Sequence, residues 1–187
     1  MAVVSLSEKV LLIEEGLRQS RIPHAFGGAI ALAYYATPRA TIDIDLNVFV
    51  PVSRADDVIQ VLHGLGAGPL SPEERERLQR DEQARLRWDG TPIDLFFAYD
   101  LFHDSCLERR CVFPFGEGDT IHVLSAEDLV VFKVMFDRDK DWRDIGEVIY
   151  ALASELDGAY VWHWLDRILG RDDPRHGRLR EALAANG

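Results

Sequence analysis

The stretch Phe26-Gly27-Gly28-Ala29-Ile30-Ala31-Leu32-Ala33-Tyr34-Tyr35-Ala36-Thr37-Pro38-Arg39-Ala40-Thr41-Ile42-Asp43-Ile44-Asp45-Leu46-Asn47-Val48-Phe49-Val50 decides the fold, because it joins a glycine turn to a strand that carries two aspartates. In an extended strand alternate side chains point to opposite faces, so Asp43 and Asp45 share one face while Ile42, Ile44 and Leu46 share the other. Two carboxylates side by side suit a hard divalent cation such as Mg2+, which binds oxygen, keeps several waters and is completed by substrate phosphates. Upstream, Gly27 and Gly28 allow a tight turn and a close approach of backbone amides to a ligand. The apolar segment 29–36 reads as a short buried helix whose first amides point back to that turn and favour an anion. Pro38 closes it. Residues 42–50 then read as a strand whose alternation gives way to the apolar run Val48-Phe49-Val50, as at the centre of a sheet.

Toward the N-terminus, Val10, Leu11, Ile13 and Leu17 fall at helical spacing, which predicts a helix over 5–18 with Ser5 or Ser7 as cap and Glu8 in its first turn. Pro23 ends it, and 24–26 is a short strand leading into the glycines. Toward the C-terminus, 53–62 reads as an amphipathic helix and 64–72 as a Gly- and Pro-rich loop. The segment 73–87, dense in alternating charge, reads as a solvated face more than a binding face for Arg75, Arg77, Arg80, Arg85 and Arg87, with a phosphate contact as the alternative. Residues 85–89 and 93–99 flank Gly90-Thr91-Pro92 and predict a hairpin, with Asp94 a lone carboxylate among Ile93, Leu95, Phe96 and Phe97. A second hairpin is expected from 110–115 and 120–124. At Ser125 the composition changes: Ser125-Ala-Glu-Asp resembles a capping box, and helices are expected over 129–136, 142–156, 160–169 and 174–184. The fold class is therefore α+β (α/β), a mixed sheet of five or six strands flanked by helices in a core of residues 1–124, with a helical part over 125–187. Trp142, Tyr160, Trp162 and Trp164 are expected to pack there rather than to stack on bases.

A chain of 187 residues with 47% hydrophobic composition can build one well-cored domain, or a compact domain with a helical appendage. Its formal net charge of -11 repels polyanions, so any RNA or nucleotide contact must rely on a local basic patch or a bound metal. Cys106 and Cys111 have neither zinc-knuckle nor Cys-x-x-Cys spacing, which points to structural thiols in a reducing cytoplasm. Glu8, Glu14 and Glu15 interrupt the N-terminus before a signal core or membrane span could form. The six histidines show no His-x-x-x-His spacing, no nucleophile elbow supports a serine triad, and neither Walker nor Rossmann glycine spacing occurs.

Asp43, Asp45 and Asp94 form a candidate metal triad, two from one strand and one from its expected neighbour. Three close carboxylates repel and raise one another's pKa until a cation neutralises them. Aspartate is also depleted in strands, and all three sit in apolar runs. Lys133, within Leu129-Val-Val-Phe-Lys-Val-Met-Phe136, must snorkel or pair; it is either a phosphate contact or the centre of an ion pair to Asp137 or Asp141. Arg138, Lys140, Asp141 and Asp144 extend that charged cluster, and Asp144 could position Lys133 or Arg39.

Gly27-Gly28, then Arg39-x-Thr41-x-Asp43-Ile44-Asp45-Leu46, then Ile93-Asp94-Leu95, together resemble the nucleotidyltransferase superfamily related to DNA polymerase beta. Lys133 followed by Arg138-Asp139-Lys140-Asp141-x-x-Asp144 is similar to its abortive-infection (type IV, AbiEii-like) toxin branch and uncharacterised bacterial relatives. The resemblance implies that Gly27 and Gly28, with Arg39, Thr41 and Lys133, bind a nucleoside triphosphate, that Asp43 and Asp45 bind two Mg2+ ions, and that Asp94 completes the site or activates the acceptor hydroxyl. It implies nucleotidyl transfer: the hydroxyl attacks the α-phosphorus in line and pyrophosphate leaves. Three functions follow: a toxin-like enzyme acting on RNA and partnered by an antitoxin; an enzyme modifying a small molecule such as an aminoglycoside, which an acidic surface attracts; or a non-catalytic module binding nucleotide or protein, against which the intact triad argues. Many superfamily members carry Gly-Ser where this chain has Gly-Gly, so one hydroxyl contact is absent.

Overall fold

A computed structural model, describing residues 4–186, places the aspartate strand third in a six-stranded mixed sheet of order β3-β4-β2-β1-β6-β5. The strands are β1 (His24–Phe26), β2 (Ile44–Val48), β3 (Gln83–Trp88), β4 (Thr91–Phe97), β5 (Cys111–Phe115) and β6 (Asp119–Val123). β2 runs antiparallel to β1 and parallel to β4, β1 runs parallel to β6, and β3–β4 and β5–β6 are hairpins. The register explains why these residues form a sheet. Leu86, Ile93 and Ile44 lie in one cross-strand row, Ala84, Leu95 and Leu46 in the next, and all six are buried. Period-two burial on these strands leaves the intervening residues, including Asp45 and Asp94, on the opposite face.

The sheet belongs to the first of two compact units, made of the chain up to Ile30 together with Ala40–Leu124. Its helices are α1 (Leu6–Gln19), α3 (Ala55–Leu65), α4 (Pro72–Asp81) and α5 (Leu101–Arg109), plus the first turn of α2 (Gly28–Tyr35). α1 starts at a capping box in which Ser5 and Glu8 satisfy each other's backbone amides. Its apolar stripe, Val10, Ile13 and Leu17, is buried, and α1 packs on α3 and β6. Lys9 is buried on the same helix and donates to the Trp88 carbonyl at 2.7 Å and to Thr91 Oγ1 at 3.0 Å, clamping α1 to the β3–β4 turn.

Three local expectations change. β2 begins at Ile44 rather than at residue 42, and Ile42 is exposed, because Thr41 bends the chain there. The charged segment after residue 71 is helix α4, capped by Ser71 with Pro72 in its first turn; Leu78 is its buried side chain, too little to show as a stripe among the charges. α5 is a helix that the periodicity does not announce; the Asp100 carboxylate caps it by accepting from the Phe102 amide at 2.7 Å.

The second unit comprises Ala31–Arg39 and the chain from Ser125 on, with the remainder of α2, α6 (Ala126–Phe136), α7 (Asp139–Leu152), α8 (Gly158–Leu169) and α9 (Arg175–Asn186). Ser125 caps α6, which packs against α7 and α8, while α9 packs on α7. Trp142 is buried under the Arg178 guanidinium, Trp162 stacks on His176, and Trp164 meets the edge of Tyr160, with Tyr160, Trp162 and Trp164 half-buried. Cys106 is buried, and neither Cys106 nor Cys111 forms a disulfide. No described helix is long and apolar enough to cross a membrane.

Candidate active site

Asp45 on β2, Asp94 on β4 and Arg85 on β3 occupy consecutive positions in one cross-strand row. Parallel strands in register point matched side chains to the same face, so the third carboxylate predicted from sequence stands beside the second. Arg85 grips Asp94 with both ends of its fork, Nε to Oδ1 at 2.6 Å and Nη2 to Oδ2 at 2.7 Å. Its own amide donates to Glu74 Oε2 at 2.7 Å, which ties α4 to the strand. The bond to Asp94 raises the Arg85 pKa above its ordinary value against the opposing effect of burial, and the charges of Asp94, Asp43 and Glu74 add to it. Arg85, read from sequence as part of a solvated charged face, is in fact the counter-charge of Asp94.

The glycine turn is shaped around Asp45. Gly27 donates its amide to the Asp45 carbonyl at 2.9 Å, continuing the pairing of β1 with β2 for one residue. Gly28, the first residue of α2, has φ +52°, and a Cβ there would lie 1.8 Å from Asp45 Oδ2. Glycine is required at that position twice, by the left-handed backbone and by the carboxylate pressed against it. This accounts for Gly-Gly in place of Gly-Ser: a side chain at 28 would evict the Asp45 carboxylate. A Cβ on Gly27 would stand 2.8 Å from Asn47 Nδ2 and 3.3 Å from Leu124, so that position is packed as well.

Asp43 lies just before β2, half-buried, on a turn fixed by Thr41, whose hydroxyl accepts from the Asp43 amide at 3.1 Å and contacts its carbonyl at 3.2 Å. Thr41 is thus engaged with the backbone that presents Asp43. Asp43, Asp45 and Asp94 offer only oxygen donors, as a hard cation requires. Among the described residues, however, Asp43, Asp45 and Asp94 are not drawn into one group with ligand atoms within 4.8 Å of each other. The reason is electrostatic: Asp94 is turned to Arg85 and Asp45 to the start of α2, which keeps like charges apart. Asp43 and Asp45 offer carboxylate oxygens, the donor type a hard divalent cation takes, and Asp94 already has a counter-charge in Arg85.

In the second unit, Lys133, expected as a phosphate contact or an ion-pair centre, is buried and donates to Asp144 Oδ2 at 2.5 Å, with Asp141 Oδ1 at 3.6 Å. Arg39 reaches the same carboxylate through Nε at 3.1 Å and Nη2 at 3.0 Å. Burial pushes the Asp144 carboxyl up, but the bonds from Arg39 and Lys133 outweigh it and hold its pKa below the ordinary value. Asp144 therefore positions both cations. Asp137, the other partner considered for Lys133, instead accepts from Trp142 Nε1 at 2.6 Å and pairs with Arg178.

Sequence reasoning missed Arg85, and it missed a cluster of Glu14, His24 and His122 elsewhere in the first unit. An arginine two residues inside a strand, opposite a lone strand aspartate, was the available signal for the first. The second has no signal in residue spacing, because strand pairing alone assembles it.

No protein-family model matches the chain, and no curated protein sequence does. Solved structures do. The antibiotic-resistance factor ANT(2'')-Ia in solution superposes with a TM-score of 0.61 at 14% identity, covering 91% of this chain and 97% of that one. The lincosamide antibiotic adenylyltransferase LnuA, lincomycin-bound, gives 0.53 at 12% identity over 79% of this chain and 98% of that one. An antigenic nucleotidyltransferase-like protein from Paracoccidioides brasiliensis gives 0.52 at 19% identity over 98% and 95%. At these identities the likeness is one of fold.

Proposed function

We propose that this chain, whose fold is that of the nucleotidyltransferases, transfers a nucleoside monophosphate from a nucleoside triphosphate to an acceptor hydroxyl with the help of Mg2+. The observation that carries the reading is the row Arg85–Asp94–Asp45 with Gly28 pressed on the Asp45 carboxylate. Asp43 and Asp45 would hold the metal, which when bound supplies Lewis-acid stabilisation of charge on the phosphoryl oxygens. Gly27, Gly28 and the first amides of α2 receive the triphosphate, where an N-terminal helix turn favours negative charge. Asp94, oriented through both oxygens by Arg85, takes the proton of the acceptor hydroxyl as that oxygen bonds to the α-phosphorus and pyrophosphate departs. Holding the two reactants in line is the rest of the protein's contribution.

For the acceptor, a small cationic molecule is the better reading. The net charge of -11 concentrates cations at the surface and repels polyanions. Two proteins of matching fold are described with antibiotics, adenylyl-2''-tobramycin for ANT(2'')-Ia and lincomycin for LnuA. An RNA acceptor with an antitoxin partner draws its support from the stretch Lys133 to Asp144, in which Lys133 pairs with Asp144 and Arg138 with Asp141 here.

The test is incubation with each α-labelled nucleoside triphosphate and Mg2+, offering aminoglycosides, a lincosamide, total RNA or no acceptor. Label on a small cationic acceptor supports the proposal, whereas label on RNA alone replaces its acceptor. Absence of transfer to anything, with wild type and Asp43→Ala binding nucleotide alike, would sink the enzyme reading.

A further inference from the structure

Three residues with no proximity in sequence meet in the first unit. Glu14 comes from α1, His24 opens β1, and His122 lies on β6, whose parallel pairing with β1 sets the two imidazoles 5.7 Å apart, centroid to centroid. Glu14 is nearly fully buried. Its Oε2 lies 3.0 Å from His24 Nε2 and accepts the His122 amide at 3.0 Å, and its Oε1 lies 2.7 Å from His122 Nδ1. Burial pushes the Glu14 carboxyl up, but the bonds and charge from His24 and the bonds from His122 prevail and hold it down at about 2. The other nitrogen of His24, Nδ1, faces the Ile22 carbonyl at 2.9 Å. A carbonyl and an ionised carboxylate are both acceptors, so this ring satisfies both neighbours only with a proton on each nitrogen, or with a cation in place of the one on Nε2.

A cavity of about 370 Å³ opens beside the cluster, lined by Arg18, Arg21, Arg110, His24 and His122 among others, with no acidic side chain in its lining among the described residues. Arg18 is balanced by Glu15 at 2.7 Å. Arg110 is not balanced in this way: its Nη1 is buried without a hydrogen-bond partner, and burial draws its pKa down, which the charge of Glu14 offsets only in part. In a chain of net charge -11 this concentration of cationic donors stands out. Arg110 as a whole is half-buried, but a guanidinium nitrogen buried without a hydrogen-bond partner costs stability, and an oxyanion in the cavity would relieve it with charge-assisted bonds.

A metal would use the same cluster differently. One carboxylate and two imidazoles with ligand atoms within 4.8 Å of each other make a donor set that zinc takes. Charge decides against it, because Glu14 offsets one unit while the guanidiniums of Arg21 and Arg110 line the adjoining space.

We propose that this cavity binds a phosphate-class oxyanion, the phosphate of a monoester or of a nucleic-acid backbone, held by Arg110 and Arg21 over the Glu14–His24–His122 cluster. It is a different site from the aspartate row. His24 opens β1 and Gly27 follows its end, three residues on, which at strand rise is about 10 Å.

Calorimetric titration of the full chain, without nucleotide, with inorganic phosphate, ribose 5-phosphate and a short oligoribonucleotide tests this. Binding of phosphate or the monoester at about 1 mM or tighter is expected, and binding of the oligoribonucleotide alone would identify a backbone phosphate as the source. Arg110→Met should weaken the binding about tenfold or more, Arg110→Lys should restore part of it, and Asp45→Asn should leave it unchanged. Without ligand, Arg110→Met should melt no lower than wild type, since it removes a buried nitrogen that has no hydrogen-bond partner. The proposal is overturned by no binding in any arm, by loss in Asp45→Asn but not in Arg110→Met, or by a marked drop in the melting temperature of Arg110→Met. Zn2+ binding that His24→Gln abolishes, with phosphate inert, would make the cluster a metal site instead. No triphosphate is present in this experiment, so its failure leaves the transfer reading standing.

Discussion

Replacing Gly28 by alanine tests whether the glycine turn exists to seat Asp45. The backbone there has φ +52°, which for an L-residue costs about 1–2 kcal/mol. The new Cβ would also stand 1.8 Å from Asp45 Oδ2, 2.5 Å from its Cγ and 3.0 Å from its Cβ. β2 cannot yield easily, because Ile44 and Leu46 on either side of Asp45 are fully buried, so the carboxylate must move. Overpacking of that kind adds about 1–3 kcal/mol, and a shift of the proposed metal-binding carboxylate by an ångström would lower the rate about 10²-fold. Gly116→Ala is the control: it has φ +71° but nothing within 4 Å of its Cβ, so it carries backbone strain without the collision. Denaturant unfolding and label transfer per folded molecule should show Gly116→Ala destabilised with its rate intact, and Gly28→Ala further destabilised and nearly inactive. A Gly28→Ala protein that transfers within a few-fold of wild type would refute the argument.

Lys133→Met should destabilise the chain by about 3–5 kcal/mol, because Asp144 and Asp141 are left buried with fewer cations; denaturant melts check this, and an unchanged midpoint would contradict the buried pair. Triphosphate affinity in the same variant separates an ion-pair centre, which leaves it unchanged, from a phosphate contact, which weakens it. Arg85→Lys should recover only part of the transfer lost in Arg85→Met, since an ammonium cannot make the two-pronged bond to Asp94; equal rates for Arg85→Lys and wild type would remove Arg85 from the mechanism. Glu14 has a folded pKa depressed from 4.5 to about 2, so its stabilisation is complete above pH 4.5 and lost as the pH falls through 2. Melting temperatures should therefore fall less between pH 4.5 and 2 in Glu14→Gln than in wild type, and parallel curves would refute the assignment.

The sequence was most informative where one short segment holds the whole signal. Ser5 with Glu8 announces α1, Ser125 announces α6, and the alternation through Ile44, Asp45 and Leu46 identifies β2 and its two faces. Asp94 could be picked out because a carboxylate among Ile93, Leu95 and Phe97 is anomalous on its own strand. What depends on pairing between distant strands was not legible. Arg85 looked like one more charge in a polar run until register set it opposite Asp94, and α4 was masked in that run because Leu78 alone marks its buried side. The histidines look scattered because β1 and β6, about a hundred residues apart, become neighbours only in the folded sheet. The destination of Lys133 was ambiguous for a related reason, since Asp137, Asp141 and Asp144 all lie within reach along the chain and packing selects the last.

In the proposed reaction, transfer depends on a metal held by Asp43 and Asp45. Its most direct test is the rate of transfer from an α-labelled nucleoside triphosphate, measured against Mg2+ concentration, for wild type, Asp43→Asn and Asp45→Asn. Both variants keep side-chain volume and remove the charge. Both should fold, still bind the triphosphate, need more Mg2+, and transfer about 10²–10³-fold more slowly. Transfer by either variant at the wild-type rate and Mg2+ dependence would contradict it.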